Sequence, residues 1–142
     1  MGSFKKSKAE KRVLFVCIEN AGRSQIAEGF FKKYAPKGWI PISAGTRPTL
    51  EINPVVIESM KEVGIDVSKQ RPKELSGELI RSSFLKISMG CINQKECPAI
   101  FLGKFQDWGI EDPKGKPIEI VREIRNKIEA KVKELVTTLE SN

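Results

Sequence analysis

Cys17-Ile18-Glu19-Asn20-Ala21-Gly22-Arg23-Ser24 sets a thiol six positions before a guanidinium, with a hydroxyl directly after it. This C-x5-R-S stretch lies between a short apolar run and a segment of helical periodicity. Backbone N–H groups at a helix N-terminus lack intrahelical partners, and the helix dipole favours negative charge there. A loop curling onto that end turns several amides inward and forms an anion nest. Arg23 can fork two N–H bonds onto a tetrahedral oxyanion. Gly22 and Ala21 let backbone approach the guest, and Asn20 tolerates the left-handed conformation that such a tight loop needs. The same field stabilises a thiolate at Cys17, and Ser24 can donate its hydroxyl to that sulfur.

The chain holds three cysteines and no histidine. Cys–His and Ser–His–Asp catalysis are therefore excluded, and Cys17 depends on the loop for activation. An odd cysteine count predicts a reducing compartment, the cytoplasm. Tetrahedral zinc wants four Cys or His ligands, so no metal is expected. Cys91 follows Gly90 at a predicted strand end, and Cys97 lies six residues on in a polar loop. Free cysteines are commonly small buried residues without chemistry, a reading that the polar surroundings of Cys97 oppose. On a helix the two would stand about 9 Å apart along the axis. A disulfide needs Cα atoms within about 7 Å, so pairing them requires the segment to rearrange. Asp112-Pro113 reads on its own as the start of a turn, and Asp107, Glu111 and Asp112 are the nearby carboxyls that a general acid would draw on.

The elements that position these residues follow from periodicity. Arg12 to Cys17 is a β-branched apolar run that suits a strand buried on both faces. Ile26, Ala27, Phe30, Phe31 and Tyr34 recur at helical spacing until Pro36. Trp39 to Ala44 reads as a second strand closed by Gly45. Pro54 opens a second helix that Gly64 stops. Pro72 to Ile80 is predicted as a third helix, Phe84 to Met89 as a third strand, and a fourth strand is expected within Ile100 to Gln106. Val121, Ile124, Ile128, Val132, Leu135 and Leu139 form one stripe of a last helix. Strands alternating with helices predict an α/β fold, a parallel sheet with helices on both faces. Strand C-terminal ends then share one edge, where such folds bind ligands.

With 142 residues, 39% hydrophobic and 30% charged, the composition is that of one soluble globular domain. The longest apolar run, Val13 to Ile18, is far short of the about 20 residues of a membrane span. No secretory signal pattern is expected at the N-terminus. Residues 1–11 read as a flexible basic leader, and 12–142 as a single catalytic domain. Of the net charge of +7, Met1 to Arg12 supplies +4, so the basicity is mostly a tail property. The aromatics are scattered on apolar faces instead of interleaving with a basic one, which argues against nucleic acid.

VLFVC, IENAGRS and QIAEGFF resemble the phosphate loop of the low-molecular-weight protein tyrosine phosphatase superfamily. Ser43-Ala44-Gly45-Thr46, Met89-Gly90-Cys91 and Asp107-Trp108 through Asp112-Pro113 resemble its thioredoxin-coupled arsenate reductase branch. The resemblance spans residues 12 to 139 and implies a four-stranded parallel sheet flanked by helices. It implies Cys17 as nucleophile, Arg23 as oxyanion clamp, Asn20 and Ser24 as loop supports, Ser43 as a further partner of the loop, and Asp112 as acid. It also implies a disulfide relay from Cys17 to Cys91 to Cys97, with no bound cofactor and an external dithiol such as thioredoxin as reductant.

Two activities share the first step, attack of Cys17 on a tetrahedral anion. In a phosphatase water cleaves the adduct, and in a reductase a second thiol does. Phosphatase relatives carry Tyr after the Asp-Pro pair. Lys114-Gly115-Lys116 stands here, which favours a small inorganic anion, arsenate or phosphate, over phosphotyrosine. These lysines either form a solvated turn or steer anions inward. Some reductases of the branch bind potassium near the loop. Glu28 and Ser43 match part of that site, but Gln70 to Lys73 offers an ammonium in place of the ion. The alternatives are hydrolysis of phosphate monoesters and a non-enzymatic oxyanion- or redox-sensing module. A monomer is expected, with no nucleic-acid or membrane partner.

Overall fold

The computed structural model describes residues 10–90 and 105–140. Strand β1 (Lys11–Cys17) leads into α1 (Arg23–Tyr34), β2 (Trp39–Gly45), α2 (Pro54–Lys61), α3 (Gly77–Ser82), β3 (Leu85–Ser88), β4 (Gln106–Asp107) and α4 (Ile118–Glu140). All pairings are parallel, and the strand order is β2-β1-β3-β4.

Central β1 is buried from Val13 to Cys17 because both of its faces are covered. Its side chains alternate, so one apolar run feeds two cores. Val13, Phe15 and Cys17 pack with Ile26, Phe30 and Phe31 of α1, Val56 and Met60 of α2, and the Val121, Ile124, Ile128 and Val132 stripe of α4. Leu14 and Val16 face the other way, with Ala44 and the Leu75, Leu79 and Ile80 side chains. Trp108 is buried with its ring 5.7 Å from that of Phe15, a packing residue in the larger core.

Register aligns Cys17 with Gly45, Val16 with Ser88, and Ser88 with Asp107, so the strand ends share one edge. The chain leaves β1 to one side for β2 and returns to its other side for β3. The loop after β1 therefore opens at the switch point of the sheet, where parallel α/β folds bind ligands.

Two predicted elements shift. The third helix begins at Gly77, not Pro72, with Ser76 capping it by accepting from the Leu79 amide. Residues 73–75 are instead drawn alongside Gly45: its amide donates to Lys73 O, and Leu75 N donates to its carbonyl. The fourth strand is the pair Gln106–Asp107, at the end of the predicted window. Residues 100–104 of that window, most of the leader, and Cys91 and Cys97 lie outside the described residues.

Candidate active site

The loop from Cys17 to Gly22 has its carbonyls turned outward and bonded. Cys17 O accepts from Thr46 N at 3.3 Å, Ile18 O from Arg47 N at 2.8 Å, Glu19 O from Thr49 N at 3.1 Å, and Ala21 O from Asn53 N at 2.9 Å. Asn20 O accepts from Gln25 Nε2 at 2.9 Å, and Gly22 O from Ile26 N at 2.9 Å. Carbonyls that face out leave amides that face in. Among the described residues, the amides of Glu19, Ala21 and Gly22 donate to no backbone carbonyl. Asn20 adopts φ 54, the left-handed turn that closes the curl.

Helix α1 presents its positive end to this cup. Gly22 at its N-cap supplies no side-chain cap, and the first turn holds no carboxylate. The other two short helices differ, with Asn53 capping α2 and Ser76 capping α3. The open end of α1 is the electrostatic feature that an anion completes.

The buried Cys17 Sγ sits at the start of the loop. It accepts from Asn20 N at 3.2 Å and lies 2.9 Å from Ser24 Oγ. Asn20 Nδ2 donates to Ser24 Oγ at 2.6 Å, because Asn20 Oδ1 is committed to the Lys73 amide at 2.8 Å. Ser24 thus spends a lone pair on Asn20 and keeps its proton for the sulfur. Both donors converge on the sulfur.

Arg23 is buried, and its Nη1 donates to Gly90 O at 3.0 Å and Ile110 O at 2.9 Å. These bonds anchor the guanidinium between two strand ends. Asp112 Oδ2 lies 3.7 Å from Arg23 Nη2, and Asp112 Oδ1 accepts from Lys114 N at 3.0 Å. Cys17, Arg23 and Asp112 line one cavity of about 310 Å³ that extends past Ile52 and Pro113. Asp107 bonds the Gly109 amide, and Glu111 pairs with Lys116 at 3.4 Å; neither lines that cavity.

Ser43, buried on β2, donates to Glu28 Oε1 at 2.5 Å. Lys32 Nζ approaches the same carboxylate at 3.1 Å and Lys73 Nζ at 4.0 Å. Burial, partly offset by Glu28, holds the half-buried Lys73 amine below the usual lysine range. Lys73 Nζ also donates to Arg71 O at 2.9 Å, so an ammonium stands where the sequence offered one.

Four contributions escaped sequence reasoning. Gln25 braces the loop through Asn20 O and is itself held by Gln70 at 2.6 Å. Lys73 acts through its backbone amide, and Gly90 and Ile110 through their carbonyls, which no residue type announces. Conversely, Cys91 and Cys97 lie outside the described residues.

Residues 12–142 match the family described as low molecular weight phosphotyrosine protein phosphatase. An arsenate reductase of Staphylococcus aureus (strain Newman) is 36% identical over 120 residues, covering 84% of this chain and 91% of that protein. A solved structure of an arsenate reductase in the phosphate binding state is 32% identical with a TM-score of 0.78, covering 90% of this chain and 98% of that one. The thioredoxin-dependent arsenate reductase of Corynebacterium glutamicum is 34% identical with a TM-score of 0.77, covering 98% of this chain and 66% of that one.

Proposed function

The chain belongs to the low molecular weight phosphotyrosine protein phosphatase family, and from that premise we propose that it is an arsenate reductase coupled to an external dithiol. The observation that carries this reading is a buried sulfur with two hydrogen-bond partners at the foot of a loop whose carbonyls all face away. The arsenate reductases among its relatives support the choice of substrate.

In this reading, the loop amides and the open end of α1 receive a tetrahedral dianion. Arg23 Nη1 is engaged by carbonyls, so a bidentate grip on the guest falls to Nε and Nη2. The Cys17 thiolate attacks arsenic(V) and forms a sulfur–arsenic bond. One arsenate oxygen leaves as water, taking its proton from Asp112. Cys91 then attacks Cys17 Sγ. The sulfur–arsenic bond breaks with its electron pair passing to arsenic, which departs as arsenite, and a Cys17–Cys91 disulfide remains. Cys97 attacks Cys91, frees Cys17, and leaves a Cys91–Cys97 disulfide. A dithiol such as thioredoxin supplies the two electrons and two protons that reset it. No cofactor is held between turnovers. We place the enzyme in the reducing cytoplasm, acting as a monomer.

The test supplies thioredoxin, thioredoxin reductase, NADPH and arsenate, and follows NADPH absorbance. Arsenate-dependent oxidation is expected, lost in Cys17→Ser and Cys91→Ser, with a Cys91–Cys97 disulfide found by mass spectrometry after exposure without reductant. Full activity in Cys91→Ser would overturn the relay.

One observation favours a second activity. The cavity runs beyond the anion loop along Ile52, Pro54 and Pro113, which leaves space for an ester group. Hydrolysis of an aryl phosphate would then need Cys17 and survive loss of Cys91 and Cys97.

A further inference from the structure

Glu19 is a carboxylate on an anion-binding loop, where it would repel the guest. Its charge is met by Lys114, whose Nζ donates to Glu19 Oε2 at 2.8 Å. The same lysine donates its backbone amide to Asp112 Oδ1 at 3.0 Å. One residue therefore grips the loop with its side chain and the acid with its main chain. Between them, Pro113 packs on Gly22: a Cβ on that glycine would stand 2.9 Å from Pro113 Cγ. Residues 112–114 are thus seated on the loop at Arg23, Gly22 and Glu19, and all six line the same cavity.

We propose that Glu19 and Lys114 are positioning residues, an ion-pair latch that holds the Asp112 turn over the anion so that its carboxyl delivers a proton to the leaving oxygen. Neither touches the reacting atoms. Tying up Oδ1 leaves Asp112 Oδ2 as the oxygen turned towards Arg23 and the guest. The hydrogen bond that Lys114 donates to Glu19, then the charge of that carboxylate, raises the Lys114 amine above the usual lysine range. The latch also offsets the one carboxylate that the loop contributes to its own mouth. It rests on the reading of Asp112 as the acid in arsenate reduction.

Charge reversal tests it. Glu19→Lys and Lys114→Glu each turn the attraction into a repulsion, and the double variant restores an ion pair of opposite polarity. The readout is kcat at saturating arsenate, because the effect of an altered charge on anion affinity is then confined to KM. Each single variant is expected to lose about five- to tenfold in kcat, the scale of an exposed pair inverted. The acid-assigned limb of the pH profile should move with it. The double variant should return to within about twofold of wild type, its pH limb restored. Singles within twofold of wild type, or a double no better than the weaker single, overturn the latch. Wild-type protein that fails to reduce arsenate but hydrolyses an aryl phosphate with the same swap pattern overturns the reductase reading alone. Protein inactive on both overturns both.

Discussion

Asn20 donates its side-chain amide to Ser24 at 2.6 Å, and that bond decides where the serine proton points. With one lone pair occupied, Ser24 Oγ directs its hydrogen at Cys17 Sγ, 2.9 Å away. Ser24→Ala removes a hydrogen bond to the sulfur, worth about 0.5–1.5 kcal/mol, or roughly 2- to 10-fold in Cys17 reactivity. Alkylation of Cys17 by iodoacetamide at neutral pH, followed on the Cys17 peptide, should slow by that factor. Asn20→Ala should slow it likewise and also cost stability, about 1–2 kcal/mol for the left-handed position.

Arg23→Lys keeps the charge and loses the fork. The guanidinium holds Gly90 O and Ile110 O with one nitrogen, leaving the others for the anion. An ammonium serves one of these duties poorly and the other incompletely. We expect kcat/KM for arsenate to fall by about 100- to 1000-fold, the scale of a lost oxyanion donor. Competitive inhibition by phosphate should weaken in parallel, measured in the same coupled assay.

Gly45→Ala strikes the loop from behind. A Cβ there would sit 2.5 Å from Ile18 O and 2.9 Å from Asn20 N, both backbone atoms of the anion loop. The loop must move, at about 1–3 kcal/mol of overpacking. Thermal melting should show that loss, and arsenate should no longer protect Cys17 from alkylation. Retained protection would refute the close approach.

Glu62 ties α2 to α4. Arg122 hydrogen-bonds its carboxylate at 2.7 Å and Arg125 at 2.9 Å, and Arg122 does most to lower its pKa from 4.5 to about 2. The folded value lies below the unfolded one, so the contribution is complete above about pH 4.5 and disappears as pH falls towards 2. Urea midpoints of wild type and Glu62→Gln should differ by a constant amount from pH 7 to 5. They should converge below that range.

Much of the site was legible because its chemistry is local in sequence. Cys17, Asn20, Arg23 and Ser24 lie on eight consecutive residues, and strand before with helix after dictates where they face. Asp112 was legible as a candidate only. Its choice over Asp107 and Glu111 depends on a turn that brings it within 3.7 Å of Arg23, a contact between residues 89 positions apart. Lys73 and Gln70 reach the loop from still another segment, one as a backbone donor. The misplaced start of α3 has a tertiary cause. The helical pattern from Pro72 is weaker than those of the other helices, and the parallel bridge between Glu74 and Gly45 takes residues 73–75.

The outward carbonyls of the loop are all satisfied by residues 46–53, Gln25 and Ile26. The cup is therefore shaped by hydrogen bonds from its neighbours. A receptacle held in this way selects by geometry and charge. Phosphate has the same shape and charge as arsenate, so a reductase built on such a cup discriminates afterwards, in whether the central atom can accept two electrons.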